Sequence, residues 1–162
     1  MEPRVLGVDA CKKGWVGIDS LGIGYFAAGI AELVDAAEGN GRIEVVAVDI
    51  PIGLPAQGSR AADLLARKKV GPRYSSVFPT PLRAVLIEPD FGVANAVSKA
   101  LMGKGISKQA HGLRAKILEV DGWIREANQA VIEVHPEVSF AAMNQAPLEH
   151  PKSTWAGIEQ RR

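Results

Sequence analysis

One cysteine in 162 residues, Cys11, has no second cysteine to pair with. An internal disulfide is excluded, and so is a zinc centre built on several thiolates. A lone thiol fits a reducing compartment. Long apolar runs are missing as well. No uninterrupted stretch approaches the roughly 20 residues that a membrane-spanning helix needs, so no membrane segment is expected. The opening residues Met1-Glu2-Pro3-Arg4 run directly into an apolar segment and lack the pattern of a secretory leader, which predicts a cytoplasmic protein. A large charge of one sign is absent too, the formal net charge being +1. The composition, 47% hydrophobic and 23% charged, is that of a globular chain, and 162 residues suffice for one domain with its own core.

The small net charge hides a segregation. Residues 59–116 hold eleven lysines and arginines against three acids, a balance of +8, and the remainder of the chain carries −7. Such a field can steer a polyanion. It can equally be a solvated helical surface, since sequence does not show whether these side chains share a face.

Two apolar runs end in aspartate: Val5-Leu6-Gly7-Val8-Asp9 and Val45-Val46-Ala47-Val48-Asp49. Runs of this kind read as strands buried on both faces, the signature of a parallel sheet. Between them lie Trp15 to Asp19 and a short segment from Tyr25 to Ala28, separated by turns at Asp9-Ala10-Cys11-Lys12-Lys13-Gly14 and Gly22 to Gly24. Turns this short make the first three strands an antiparallel meander. Ala31 to Ala37 favours helix, closed by Gly39-Asn40-Gly41. The strand ending at Asp49 comes after that helix, and a helical crossover returns the chain parallel to an earlier strand. The carboxyl ends carrying Asp9 and Asp49 then coincide, at the edge where open α/β sheets place ligands. Like charges brought together there call for compensation, and a divalent cation such as Mg²⁺ or Mn²⁺ prefers oxygen ligands.

Downstream, Pro51, Gly53 and Pro55 force a loop. Helix is expected over 59–69 and 90–102. A further helix, with Ser107 as its candidate cap, is expected where Leu113, Ile117, Val120 and Ile124 recur at helical spacing. These form a helical insertion over about 56–129. A last strand is expected from Val131 to His135, stopped by Pro136, and Ser153 or Thr154 is positioned to cap a final helix. The fold class is thus α/β: a mixed sheet of three antiparallel strands and then parallel ones, in a single domain spanning 1–162.

Four motifs occur in order along almost the whole chain: Gly7-Val8-Asp9-Ala10-Cys11-Lys12-Lys13-Gly14-Trp15, Asp49-Ile50-Pro51-Ile52-Gly53-Leu54-Pro55, Arg73-Tyr74-Ser75-Ser76-Val77-Phe78-Pro79 and Glu133-Val134-His135-Pro136-Glu137. Together they resemble domain of unknown function 429, a family described as predicted nucleases of ribonuclease-H-like fold. The resemblance implies a ribonuclease-H-like sheet and a metal-dependent nuclease that hydrolyses phosphodiesters with two carboxylate-held cations. It makes Asp9 and Asp49 the strand-end acids and Glu133 the third ligand, with Glu137 in support. Members of the family look longer and bring a further acid on a final helix, so a C-terminal part is expected to be missing here.

Beside that resemblance, alternation along 131–137 puts Glu133, His135 and Glu137 on one face, a polar face turned to metal, partner or water. His135 is a candidate contact for a phosphate or leaving group. Lys12 and Lys13 come just after Asp9 on a turn that can meet an anionic substrate. Arg73, Ser75 and Ser76 form the candidate substrate loop, a fork of donors with two hydroxyls, and Tyr74 and Phe78 are available for stacking. Trp15, Trp123 and Trp155 read as packing residues. The partner is nucleic acid or another phosphoester. Three other readings stand beside the nuclease: a non-catalytic nucleic-acid-binding module, a sugar-kinase- or actin-like nucleotide enzyme, and thiol chemistry at Cys11 beside two lysines.

Overall fold

The computed structural model describes residues 3–162. Met1 and Glu2, on which the expectation about a leader partly rests, lie outside the described residues. Among those described, no helix is long and apolar enough to cross a membrane. The meander forms, but β1 runs on through Asp9 to Cys11, where pairing with β2 leaves only Lys12-Lys13 for the turn: β1 (Val5–Cys11), β2 (Gly14–Asp19) and β3 (Gly24–Ala27) are antiparallel neighbours. Helix α1 (Ile30–Glu38) then carries the chain to β4 (Val45–Val48), which lies parallel to β1. The last strand, β5 (Ala130–Glu133), adds in parallel to β4. The resulting order, β3-β2-β1-β4-β5, agrees with the ribonuclease-H-like arrangement.

The intervening helices are α2 (Ala61–Val70), a 3-10 segment at Gly71–Ser76, α3 (Arg83–Leu86), α4 (Phe91–Met102), α5 (Lys108–Gly112) and α6 (Arg114–Trp123). Asp90 and Ser107 cap α4 and α5 by accepting from the N–H groups of Val93 and Ala110. Leu113 separates α5 from α6, so the periodic run bends there. After β5 come α7 (Pro136–Met143) and α8 (Trp155–Glu159), the latter capped by Thr154.

The core lies on one face of the sheet. Leu6, Val8, Trp15, Val46 and Val48 point into it, against Ile30, Leu33 and Val34 of α1 and Ile117 and Val120 of α6. Each fully buried aliphatic side chain contributes about 1.5–3 kcal/mol. Trp15 is wholly buried, and its Nε1–H donates to Glu119 at 2.9 Å. The same carboxylate oxygen accepts the Ile30 N–H at 2.8 Å, tying β2, α1 and α6 together. The other face is apolar but open: Ile18 and Phe26 are 65% and 60% exposed, with Val16 and Ile132 beside them.

Two expectations fail locally. The last strand ends at Glu133, and Pro136 starts a helix where it was expected only to stop a strand; proline suits a first helical turn because its missing N–H would be unpaired there anyway. Trp155, read as a packing residue, is 73% exposed, with the Arg162 guanidinium 5.9 Å from its ring.

Candidate active site

Strand register decides which acids meet. Val8 of β1 is level with Val48 of β4, and the Asp49 N–H donates to the Val8 carbonyl at 3.1 Å, so the ladder continues one step further. Asp9, inside β1, and Asp49, one residue past β4, are therefore level where the parallel ladder ends, about 4.8 Å apart in the sheet. Val8, Val48 and Ile50 are buried in the core, and by alternation the two aspartates turn away from it. Asp9 is exposed and Asp49 half-buried. Among the described residues, neither carboxylate accepts a hydrogen bond. Burial pushes the Asp49 carboxyl above the usual carboxylate range; His135 and Lys152 oppose this, and the Asp9 and Glu133 carboxylates add to it.

Glu133 is placed differently. It is level with Val48, one step short of Asp49, and so takes the inward parity. Arg60 grips it with two parallel bonds of 2.7 Å, and the Ile52 N–H donates to it at 2.8 Å. Arg60 also binds Asp63, which in turn accepts from the Thr80 N–H at 2.8 Å. Glu133 thus anchors the loop after Asp49 to the start of α2. It lines a small recess with Asp49 and His135, its own oxygens already engaged.

The carboxylate pair opens into a cleft of about 310 Å³. Of the sequence-selected residues, Asp9, Asp49, Arg73, Ser76, His135 and Glu137 line it; Lys12, Lys13, Ser75 and Cys11 do not. Glu137, expected on a strand face with Glu133, instead lies in the first turn of α7. There it is buried and bound through both oxygens by Arg161 at 2.8 Å, with Arg73 Nε 3.9 Å away. His135 Nε2 lies 3.2 Å from the Ser76 carbonyl. That oxygen only accepts, so Nε2 carries a hydrogen there. Tyr74 is exposed, whereas Phe78 reaches the cleft.

Sequence reasoning missed Lys152 and Arg161, which complete the cationic side of the cleft. They arrive through α8. Gly157 is what lets α8 seat: a Cβ there would lie 1.9 Å from the Pro151 carbonyl oxygen. Nothing in local sequence pairs Arg161 with Glu137, 24 positions earlier. Arg60 was visible only as part of the basic stretch, although its spacing from Asp63 suits a helical pair.

As a cation site, the two strand-end aspartates are a hard-oxygen set without protein donors, which suits an ion that keeps several waters and a substrate phosphate as its remaining ligands. A protein-only cage does not fit: Glu133 is held by Arg60, and among the described residues no three His, Cys, Asp or Glu side chains are grouped to hold a metal. No curated protein and no solved structure matches this chain. A family profile described as a protein of unknown function, DUF429, matches residues 7–162, from the first strand through α8 and across the whole cleft, and the chain belongs to that family.

Proposed function

We propose that this protein is a cation-dependent hydrolase of phosphodiesters, a nuclease in the broad sense, with Asp9 and Asp49 as the carboxylates that share the ion. The observation that carries this reading is the pairing of two donor-less carboxylates with a cleft wall rich in cations. Uncompensated acids beside under-used donors lack a cation on one side and an anion on the other. Mg²⁺ or Mn²⁺ would polarise a phosphoryl oxygen and acidify a bound water.

The chain's own groups do the rest. Asp9 within β1 and Asp49 just past β4 are short and rigidly based, and keep their oxygens where the parallel ladder ends. Arg73 and Arg161 neutralise charge that grows on non-bridging phosphate oxygens. His135 fixes the Ser76 turn through Nε2–H and leaves Nδ1 free to hold a proton. Glu133, gripped by Arg60, positions the loop after Asp49. Asp9→Asn and Asp49→Asn are each expected to lower Mn²⁺-dependent cleavage of a phosphodiester by about 10²–10³-fold. Undiminished cleavage in both variants would end the assignment.

A further inference from the structure

The basic stretch does not form a track for a polymer. Of its eleven cations only Arg73 lines the cleft. Arg60, Arg83 and Lys116 are ion-paired within the fold. Arg67 and Arg114 donate to the carbonyls of Val77 and Leu86. The cations that do face the carboxylate pair come mainly from the C-terminal segment, as Lys152 and Arg161.

Among the described residues, four polar atoms of the cleft lining are buried and have no hydrogen-bond partner: Arg73 Nε, Ser76 Oγ, His135 Nδ1 and Arg161 Nε. Unmet buried donors are uncommon, and three of these four are donors in any state. They call for a ligand that only accepts. Arg73, Lys152 and Arg161, less the one charge of Glu137, give +2; Asp9 and Asp49 bring the lining to zero, and a divalent cation on that pair restores +2. A phosphomonoester carries about −1.5 to −2 and three acceptor oxygens. Phe78, Leu113 and Phe140 also line the cleft and offer apolar surface on which a base can lie. The cleft's volume, about 310 Å³, sits at the low end of the ~300–1,000 Å³ typical of small-ligand sites.

We infer that the cleft seats the phosphomonoester of a single nucleotide, free or at a strand end, on Arg73, Ser76 and Arg161. This rests on the hydrolase reading, and it makes the enzyme one that works from chain ends.

Binding is measured by calorimetry with chelator present, so that no cation contributes. AMP is expected to bind at least about tenfold more tightly than adenosine or ribose 5-phosphate. Ser76→Ala, which removes one hydroxyl without a partner, and Arg73→Gln are each expected to weaken AMP about tenfold while leaving the melting temperature within a few degrees. Cleavage is then monitored with Mn²⁺ on a linear 5′-phosphorylated single strand and on the same strand closed into a circle. The linear strand should shorten from its end and the circle stay intact. Equal affinity for AMP and adenosine, or for AMP and ribose 5-phosphate, overturns the nucleotide seat. A circle cut as fast as the linear strand overturns end recognition and leaves the hydrolase standing. AMP binding that depends on Ser76, with neither strand cut, supports the seat and removes the hydrolase.

Discussion

Asp19 lies at the end of β2 level with Leu6, and Asp49 just past the end of β4 beyond Val8, so the two acids mark opposite ends of one sheet. Asp19 is buried and saturated. It accepts from the Leu21 and Ile23 N–H groups and the Tyr25 hydroxyl, each at 2.9 Å, and is paired with Arg4. Burial alone would raise its pKa; those donors outweigh burial and bring it down to about 2. Asp49 is less buried, yet its pKa is raised, because burial acts on it with no donor among the described residues to offset it, and the Asp9 and Glu133 carboxylates add to the rise. Folding therefore uses one carboxylate and tolerates the other. A tolerated charge is the better mark of function, since a satisfied one already explains its own presence.

The widest separation between the two ends comes from Asp→Asn at each. At Asp49 the hydrolase reading expects cleavage to fall a hundredfold or more with the fold intact. At Asp19 the same change leaves Arg4 without its charge partner and removes acceptor capacity from two loop N–H groups. Thermal melting should fall there by roughly 10 °C, with activity per folded molecule unchanged. A melting loss of that size at Asp49, or a specific loss of activity at Asp19, would erase the distinction.

Much of the scaffold was legible. Apolar runs, tight turns and one helical crossover imply the meander and the parallel return, and these place Asp9 beside Asp49. What the runs could not supply was parity across strands that touch only in three dimensions. Alternation within 131–137 groups Glu133 with His135 and Glu137, but it says nothing about whether Glu133 is level with Val48 or with Asp49, and one step reverses the face. His135-Pro136 reads as a strand stop and is in fact the entry to α7, which sends Glu137 to Arg161. The basic stretch was visible as charge; its neutralisation by Asp63, Glu133, Asp121, Glu119 and backbone carbonyls was not, because Glu133 and Asp121 lie 73 and 38 positions from their arginines and a carbonyl partner leaves no mark in sequence.

Glu133 stands between the two extremes: an acid beside the site, but already satisfied. Arg60→Gln tests on which side it belongs. Losing the bidentate pair and the bond to Asp63 should destabilise by about 2–3 kcal/mol, allowing for the partial exposure of Glu133. The freed Glu133 carboxylate should leave Mn²⁺ affinity, measured by calorimetry, unchanged or weaker. A clear tightening would make Glu133 a ligand that Arg60 holds in reserve.

The smallest effect is the most diagnostic, because its sign depends on pH. In the folded protein Asp49 keeps its proton to higher pH than in the unfolded chain, whose value is near the ordinary 3.8. Above that value the native state binds more protons, so stability falls as pH rises through the window up to the raised pKa, and the penalty is complete at neutral pH. Asn carries no charge, so Asp49→Asn should raise the melting temperature by about 2 °C at pH 7, with the gain gone below about pH 3.8. Asp19 behaves in the opposite sense: its contribution is present above pH 3.8 and is lost as pH falls through about 2. Saturating Mn²⁺ should then reverse the order at pH 7, because an ion bound only by the native wild type adds stability that the Asn variant cannot gain. A stabilised Asp49→Asn that Mn²⁺ fails to overtake would leave the strand-end pair as an electrostatic defect without a cation to justify it.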